Sequence, residues 1–285
     1  MSAQGDLPKL DHIIFADTQG EVPETYAYLD YLRTVVEAAG IPLHVVTAGN
    51  LELSMRGQIR TAGNPSPPAH IDRDGKKGRL SGYKCSYDFK RRQIERKIKE
   101  LCGPRGAWKR STVEQWIGFS EDEVGRCKQS NECRCGHPRI VGRGESTEVV
   151  HGTTGCTRCE CTGFDPWMTN AWPLIDMGMR RSDTIRWFAA NGHPTPPRSA
   201  CWFCPNSGNE RWRTLRDTHP DLFERACQLD EDIRHVSDFR NRANTALAVG
   251  SKLYLHASLM PLRVADLRSD HERAVDAGQS ALFDP

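Results

Sequence analysis

Two cysteines three positions apart, in Cys201-Trp202-Phe203-Cys204-Pro205, carry the sharpest chemical signal in the chain. In a turn this spacing directs both sulfurs to one side, which suits a metal ligand pair or a thiol redox pair. A proline directly after the pair also occurs in iron–sulfur loops, where it shields the cluster. Two buried small hydrophobes would have the same spacing and no chemistry. Cys85, in Gly82-Tyr83-Lys84-Cys85-Ser86, stands next to Lys84, Lys90 and Arg91, cations that favour the thiolate. A second group comprises Cys127, Cys133, Cys135, Cys156, Cys159 and Cys161, with His137 and His151 nearby. Cys133 and Cys135 with Cys156 and Cys159 offer four soft ligands across a Gly-rich stretch, a donor set that suits structural zinc. An iron–sulfur cluster and unligated thiols are the alternatives, since Cys-x-Cys departs from the usual Cys-x2-Cys. Asp17, Thr18, Glu21 and Thr25 form a polar set that could meet an anion or a ribose hydroxyl, or serve only as turn and cap residues.

The elements that must position these groups follow from the apolar pattern. His12 to Ala16 is an apolar run without alternation, the mark of a strand buried on both faces. Asp17-Thr18-Gln19-Gly20 breaks it, a helix fits Glu24 to Ala39, and Gly40 sits at the C-cap position. Pro42 to Val46 reads as the next strand, completing a βαβ unit whose functional face lies at the carboxyl ends of its strands. Residues 56 to 82 read as a mobile loop, Asp88 to Leu101 as a helix, and Thr112 to Phe119 as a strand. Ser120 to Glu123 reads as a capped helix start. Further helices fit Ser182 to Ala190, Asn209 to Arg216 and Pro220 to Arg234. Between Arg126 and Phe164 periodicity disappears while Cys and Gly dominate. The expected organisation is an α/β core over 1–126, a Cys-rich metal-binding insertion over 127–165, and a helical part over 166–285 that carries the Cys-x2-Cys loop.

Charge and composition narrow the class further. The 285 residues carry a net charge of +2, yet residues 71–110 hold fourteen Lys or Arg against five Asp or Glu, a local net of +9. Such a segment beside strand ends suits a polyanion, whether nucleotide phosphates, sulfate or nucleic acid, or is a solvated helix face. Mean hydropathy is -0.61, and no apolar run approaches the roughly 18 residues of a membrane span. The first ten residues carry neither a basic n-region nor an apolar h-region, so the expected compartment is the cytoplasm. There the eleven cysteines stay reduced, and metal ligation or thiol chemistry is expected over disulfides.

Several of these segments together resemble the phosphoadenosine phosphosulfate (PAPS) reductase family of the adenine-nucleotide α-hydrolase-like superfamily. Ile13-Ile14-Phe15-Ala16-Asp17-Thr18 with Pro23-Glu24-Thr25-Tyr26 looks like the family's second strand and helix. Tyr83-Lys84-Cys85 with Lys90 resembles its Cys-then-Lys element, and Val113 to Gly118 with Asp122, Glu123 and Arg126 resembles the next strand and its arginine-bearing turn. Ser199 to Pro205 looks like the C-terminal cysteine pair, and Tyr254-Leu255-His256 with Pro261-Leu262 like the ending of phage and mobile-element members. The resemblance covers most of the chain outside 127–165, in the family's order.

The resemblance implies an adenine-nucleotide-binding α/β fold and either reduction of activated sulfate or ATP-dependent sulfur insertion, including into nucleic acids. It places Cys85 and Lys90 in the catalytic part. Asp17, Thr18, Glu21, Lys84, Arg91 and Arg126 fall on the nucleotide and anion side. Cys85, Cys201 and Cys204 become ligands of a [4Fe–4S] cluster. One family element has no counterpart: no Ser-Gly-Gly-x-Asp-Ser-like loop occurs, and only about ten residues precede the strand at His12. The expectation is that a longer chain or a partner chain supplies it, or that the activity is lost. Losing a central strand would leave an unpaired edge beside His12 to Ala16. The competing expectation is a non-catalytic or split-subunit nucleic-acid-binding module that uses the basic segment and the zinc insertion.

Overall fold

The computed structural model describes residues 1–57, 69–73, 76–79, 85–127, 167–234 and 252–276. It is a mixed α/β protein built from helices and small sheets, two of them parallel pairs. Among the described residues no helix is long and apolar enough to cross a membrane. The chain divides into two compact units, one formed by Met1–Glu95 with Pro197–Pro285 and the other by Arg96–Pro196. The sequence places its boundaries instead at 126 and 165.

The first unit opens with β1 (Ile13–Asp17), α1 (Pro23–Ala38) and β2 (Leu43–Thr47). β1 and β2 pair in parallel, Ile13 opposite Leu43 through Asp17 opposite Thr47, as the strand–helix–strand pattern predicts. Pro23 starts α1 with its φ already helical and no N–H to leave unsatisfied, and Gly40 turns the chain at φ 69°. Leu29 and Val36 of α1 pack on Leu43, with Ile13 and Phe15 against them. Burial on both strand faces is not observed: Ala16 alone in β1 is buried, and Val45 is 44% exposed. The reason is that β1 and β2 form a two-stranded sheet with α1 on one face.

A second cluster organises the rest of this unit. α2 (Leu51–Met55) follows β2, and β3 (His70–Arg73) pairs antiparallel with β4 (Lys76–Arg79). These strands lie within the stretch that reads as a mobile loop. A seven-residue π-helical turn, Cys85–Arg91, leads into α3 (Arg92–Leu101), which divides between the two units. The Gly-rich and charged character of 70–79 masks the strands, because Ile71 is fully buried while its neighbours are polar.

The second unit contains β5 (Val113–Trp116) paired in parallel with β6 (Met168–Ala171), then α4 (Pro173–Asp176) and α5 (Arg181–Ala190). Returning to the first unit, α6 (Asn209–Thr218), α7 (Pro220–Asp232), β7 (Lys252–Tyr254) and α8 (Asp270–Asp276) complete the chain. β7 joins β3 on the side opposite β4, giving the order β4-β3-β7. Met55, Ile71, Phe203, Trp212, Leu229, Leu253 and Leu262 form the core beneath.

Candidate active site

The chain leaves the carboxyl end of β1 and turns through Thr18, Gln19 and Gly20. Asp17 is spent on this turn: its Oδ1 accepts from the Gln19 N–H at 2.7 Å and from the Tyr26 hydroxyl at 3.0 Å. Burial, then the Asp17 charge, hold the Tyr26 phenol above its ordinary range. Gln19 is the non-glycine residue that takes a left-handed φ here, 57°, stabilised by that side-chain bond. Gly20 is required by close approach instead. A Cβ built on it would lie 2.7 Å from Phe203 Cε1 and 3.5 Å from Cys201 Cβ. Its carbonyl accepts the Trp202 N–H at 2.8 Å, so the Cys-x2-Cys loop is seated directly on the strand end.

Within that loop the Cys204 N–H donates to the Cys201 carbonyl at 3.1 Å, and the Ser207 N–H to the Cys204 carbonyl at 3.0 Å. Trp202 and Phe203 pack edge to face at 4.6 Å, and the Arg225 guanidinium lies over Trp202. The His70 ring donates from Nε2 to the Pro205 carbonyl at 3.0 Å. Cys201 is 8% exposed and its sulfur lies 3.1 Å from the Thr18 hydroxyl. Burial pushes this thiol up to about 12, and the Glu21 carboxylate acts in the same direction, against the Thr18 hydroxyl and Lys90. Cys204 is less buried and packs with Cys85 and Val22 against the core cluster that contains Cys201.

Glu21 is the most unusual group in this corner. Its side chain is fully buried, and neither carboxylate oxygen has a hydrogen-bond partner among the described residues. The nearest cation is Lys90 on the π-helical turn, 3.7 Å away and 37% exposed. Thr25 Oγ1 is also buried and without a hydrogen-bond partner among the described residues. Two other buried acids are fully served. Glu52 holds Arg56 and Arg225, and Asp230 holds Arg234 and two backbone N–H groups. Buried carboxylates normally find such partners, so Glu21 offers unused acceptors.

Arg211 on α6 is a further cation of this corner, and the sequence pattern does not single it out. Its Nη2 donates to the Ala200 carbonyl at 2.6 Å. Burial lowers its pKa, while Cys204, Glu21 and Cys201 act to raise it and Arg198 to lower it. Arg211 lies on α6 one residue before the buried Trp212, with nothing in its local pattern to mark it. Only its placement behind the cysteine loop does so.

The remaining expected residues fall elsewhere. Arg91 pairs with Glu95 on α3 at 2.7 Å. Arg126 belongs to the second unit, where it pairs with Glu123 and lies 4.3 Å over the Phe119 ring. Lys84 and the zinc candidates Cys133, Cys135, Cys156 and Cys159 lie outside the described residues. Within the described part of the basic segment Arg91 pairs with Glu95, Arg92 with Asp88, and Lys97 with Glu100. Lys99 lies over Trp108 at 4.3 Å.

Among the described residues no three His, Cys, Asp or Glu side chains gather into a metal-ligating group. Cys85, Cys201 and Cys204 are right in kind for three corners of an iron–sulfur cluster, and they share one core. The Cys201 sulfur is engaged by the Thr18 hydroxyl at 3.1 Å.

The thiols differ in a way that alkylation reads. At neutral pH Cys201 stays protonated, so iodoacetamide is expected to modify Cys204 first and to spare Cys201, as peptide mapping would detect. The folded state holds the Cys201 proton more tightly than the unfolded state, whose thiol titrates near 9.0. Unfolding therefore releases a proton as pH rises above that value. The stability contribution is complete below about pH 9 and is lost toward pH 12. Chemical denaturation along the alkaline limb checks the sign, and stability rising there would refute it.

Comparison with protein-family profiles, with curated proteins and with solved structures finds no match to this chain.

Proposed function

We propose that the chain is a PAPS-reductase-like, thiol-dependent enzyme that transfers or reduces the sulfur of an anionic adenine-nucleotide substrate at the carboxyl end of β1. The observation that carries this reading is the corner itself. A protonated buried thiol, Cys201, and the more accessible Cys204 share a turn seated on the strand end, beside an unpartnered carboxylate and two cations. Open α/β units bind ligands outside the carboxyl ends of their strands. Lys90 and Arg211 supply positive charge there, and Glu21 supplies acceptors of the kind that hold ribose hydroxyls.

In the reductive version, the Cys204 thiolate attacks the sulfur of the substrate's sulfuryl group. The sulfur–oxygen bond to the nucleotide breaks and adenosine bisphosphate leaves. Cys201 then gives up its proton and attacks Cys204 Sγ, closing a Cys201–Cys204 disulfide and expelling sulfite. The two electrons gained by the sulfur come from the two thiols, and an external dithiol must reduce the disulfide for turnover.

The test is sulfite release from PAPS in the presence of dithiothreitol, with intact-protein mass spectrometry on parallel single-turnover samples free of dithiol. The expected result is an S-sulfo adduct that accumulates in Cys201→Ser and is absent from Cys204→Ser. Full sulfite release by Cys204→Ser would overturn the reading. So would sulfur incorporation that consumes ATP and leaves PAPS untouched, which would place the chain with the thiolation enzymes instead.

A further inference from the structure

A cavity of about 520 Å³ opens in the first unit and includes Lys77, Asn209, His256, Ser258, Ser269 and Arg273 in its wall. None of these residues belongs to the cysteine corner. Its floor is a fixed hydrogen-bond network. Asn209 donates both amide protons to the carbonyls of Asp266 and Arg268, at 3.1 and 2.7 Å. That orients its Oδ1 toward His256 Nε2 at 2.9 Å, so Nε2 must carry the proton. His256 Nδ1 is then the acceptor, facing the Ser258 hydroxyl at 2.7 Å and the Ser258 N–H at 3.2 Å.

The donors left over point to one chemical class. Two donors compete for the single lone pair of Nδ1, so the Ser258 hydroxyl can rotate to a ligand without orphaning the ring. Ser269 Oγ accepts the Glu272 N–H at 3.1 Å, and its hydroxyl is in turn engaged by the Glu272 carboxylate. Lys77 has no ion-pair partner among the described residues. Arg268 and Arg273 also line the wall, where they pair with Asp266 and Asp270. Burial and the charges of His70, Lys77 and Arg273 disfavour protonation of His256, against the opposing Asp266. Lys77 is therefore the lining cation left for a ligand among the described residues.

We propose that this cavity binds a small phosphomonoester, with Lys77 as the principal charge contact and the Ser258 hydroxyl as donor. The cavity lies within the range of small-molecule sites, about 300–1,000 Å³. Ser258 and His256 could be mistaken for a nucleophile–base pair. They sit two residues apart in one turn, the hydroxyl oxygen also accepts the Met260 N–H at 3.3 Å, and the imidazole is a weakened base. The network positions donors and does not transfer protons.

The experiment is isothermal titration of the full chain with ribose 5-phosphate, with ribose, and with inorganic phosphate as competitor at fixed ionic strength. Ribose 5-phosphate is expected to bind, phosphate to compete, and ribose to give no heat. Lys77→Ala should weaken binding about tenfold, the scale of a lost charged hydrogen bond. Ser258→Ala, which keeps the fold's backbone contacts, should weaken it less. Lys90→Ala, in the cysteine corner, should bind like the parent protein, which separates this site from the proposed active site. Unchanged affinity in Lys77→Ala, equal binding of ribose, or binding of only a DNA oligonucleotide would each overturn the proposal.

Discussion

Asp230→Ala is expected to lower the free energy of unfolding by about 3–5 kcal/mol, the cost of removing one partner from a buried, hydrogen-bonded ion pair. Asp230 is fully buried on α7. Its Oδ1 accepts the Leu255 N–H at 2.7 Å, its Oδ2 accepts the Leu262 N–H at 3.0 Å, and Arg234 bonds Oδ2 from the next helical turn. One carboxylate therefore ties α7 to the segment after β7 and to the 3-10 turn at Leu262–Val264. Alanine would strand two N–H groups among side chains with essentially no exposure, Leu255 and Leu262. It would also leave the Arg234 guanidinium, stacked 4.2 Å over Tyr254, without its counter-charge. Asp230→Asn retains one acceptor and should recover part of the loss. Urea denaturation measures both variants. A loss below about 1 kcal/mol for alanine, the range of ordinary surface substitutions, would mean that the segment is held by its apolar contacts alone.

Asp230 also illustrates what the sequence could and could not reveal. Its neighbours Leu222, Ala226, Leu229 and Ile233 repeat at helical spacing, so α7 is legible. An aspartate within that apolar stripe carries no mark of the two distant N–H groups it serves. The same contrast runs through the molecule. β1, α1 and β2 follow from an apolar run, Pro23 and Gly40, all local signals. β3, β4 and β7 are missed because their pairing joins residues 70–73 to 252–254, a contact that no local period encodes. At the cysteine corner, residues 17–21 lie against 201–204, two segments that the sequence singles out separately. Gly20 facing Phe203, Arg211 behind the loop, and the missing partners of Glu21 emerge only from tertiary packing. Arg91 shows the reverse case: a cation that reads as anion-binding because of its neighbours is bonded to Glu95 one turn along.

Glu21→Gln is expected to weaken adenosine bisphosphate binding by more than about tenfold, and Glu21→Met to abolish it while raising stability. The two effects have one origin. A fully buried carboxylate with Lys90 at 3.7 Å and no hydrogen bond is costly to the fold, because desolvation is not offset by donors. Replacing such a group by an apolar side chain of similar length is stabilising by about 1–4 kcal/mol in comparable sites. Glu52 and Asp230 show that this chain can satisfy a buried acid when structure alone requires one. An acid left unsatisfied at a strand end is then explained by a ligand that supplies the donors. Ribose hydroxyls do so in two directions, which a carboxylate accepts and an amide matches in only one. Thermal melts with and without adenosine bisphosphate read both halves. The parent protein should gain stability with the ligand, and Glu21→Met should start higher and gain nothing. If Glu21→Met is no more stable than the parent, the carboxylate has partners beyond the described residues. If it keeps the ligand-induced shift, Glu21 does not contact the nucleotide, and Lys90 and Arg211 alone carry the recognition.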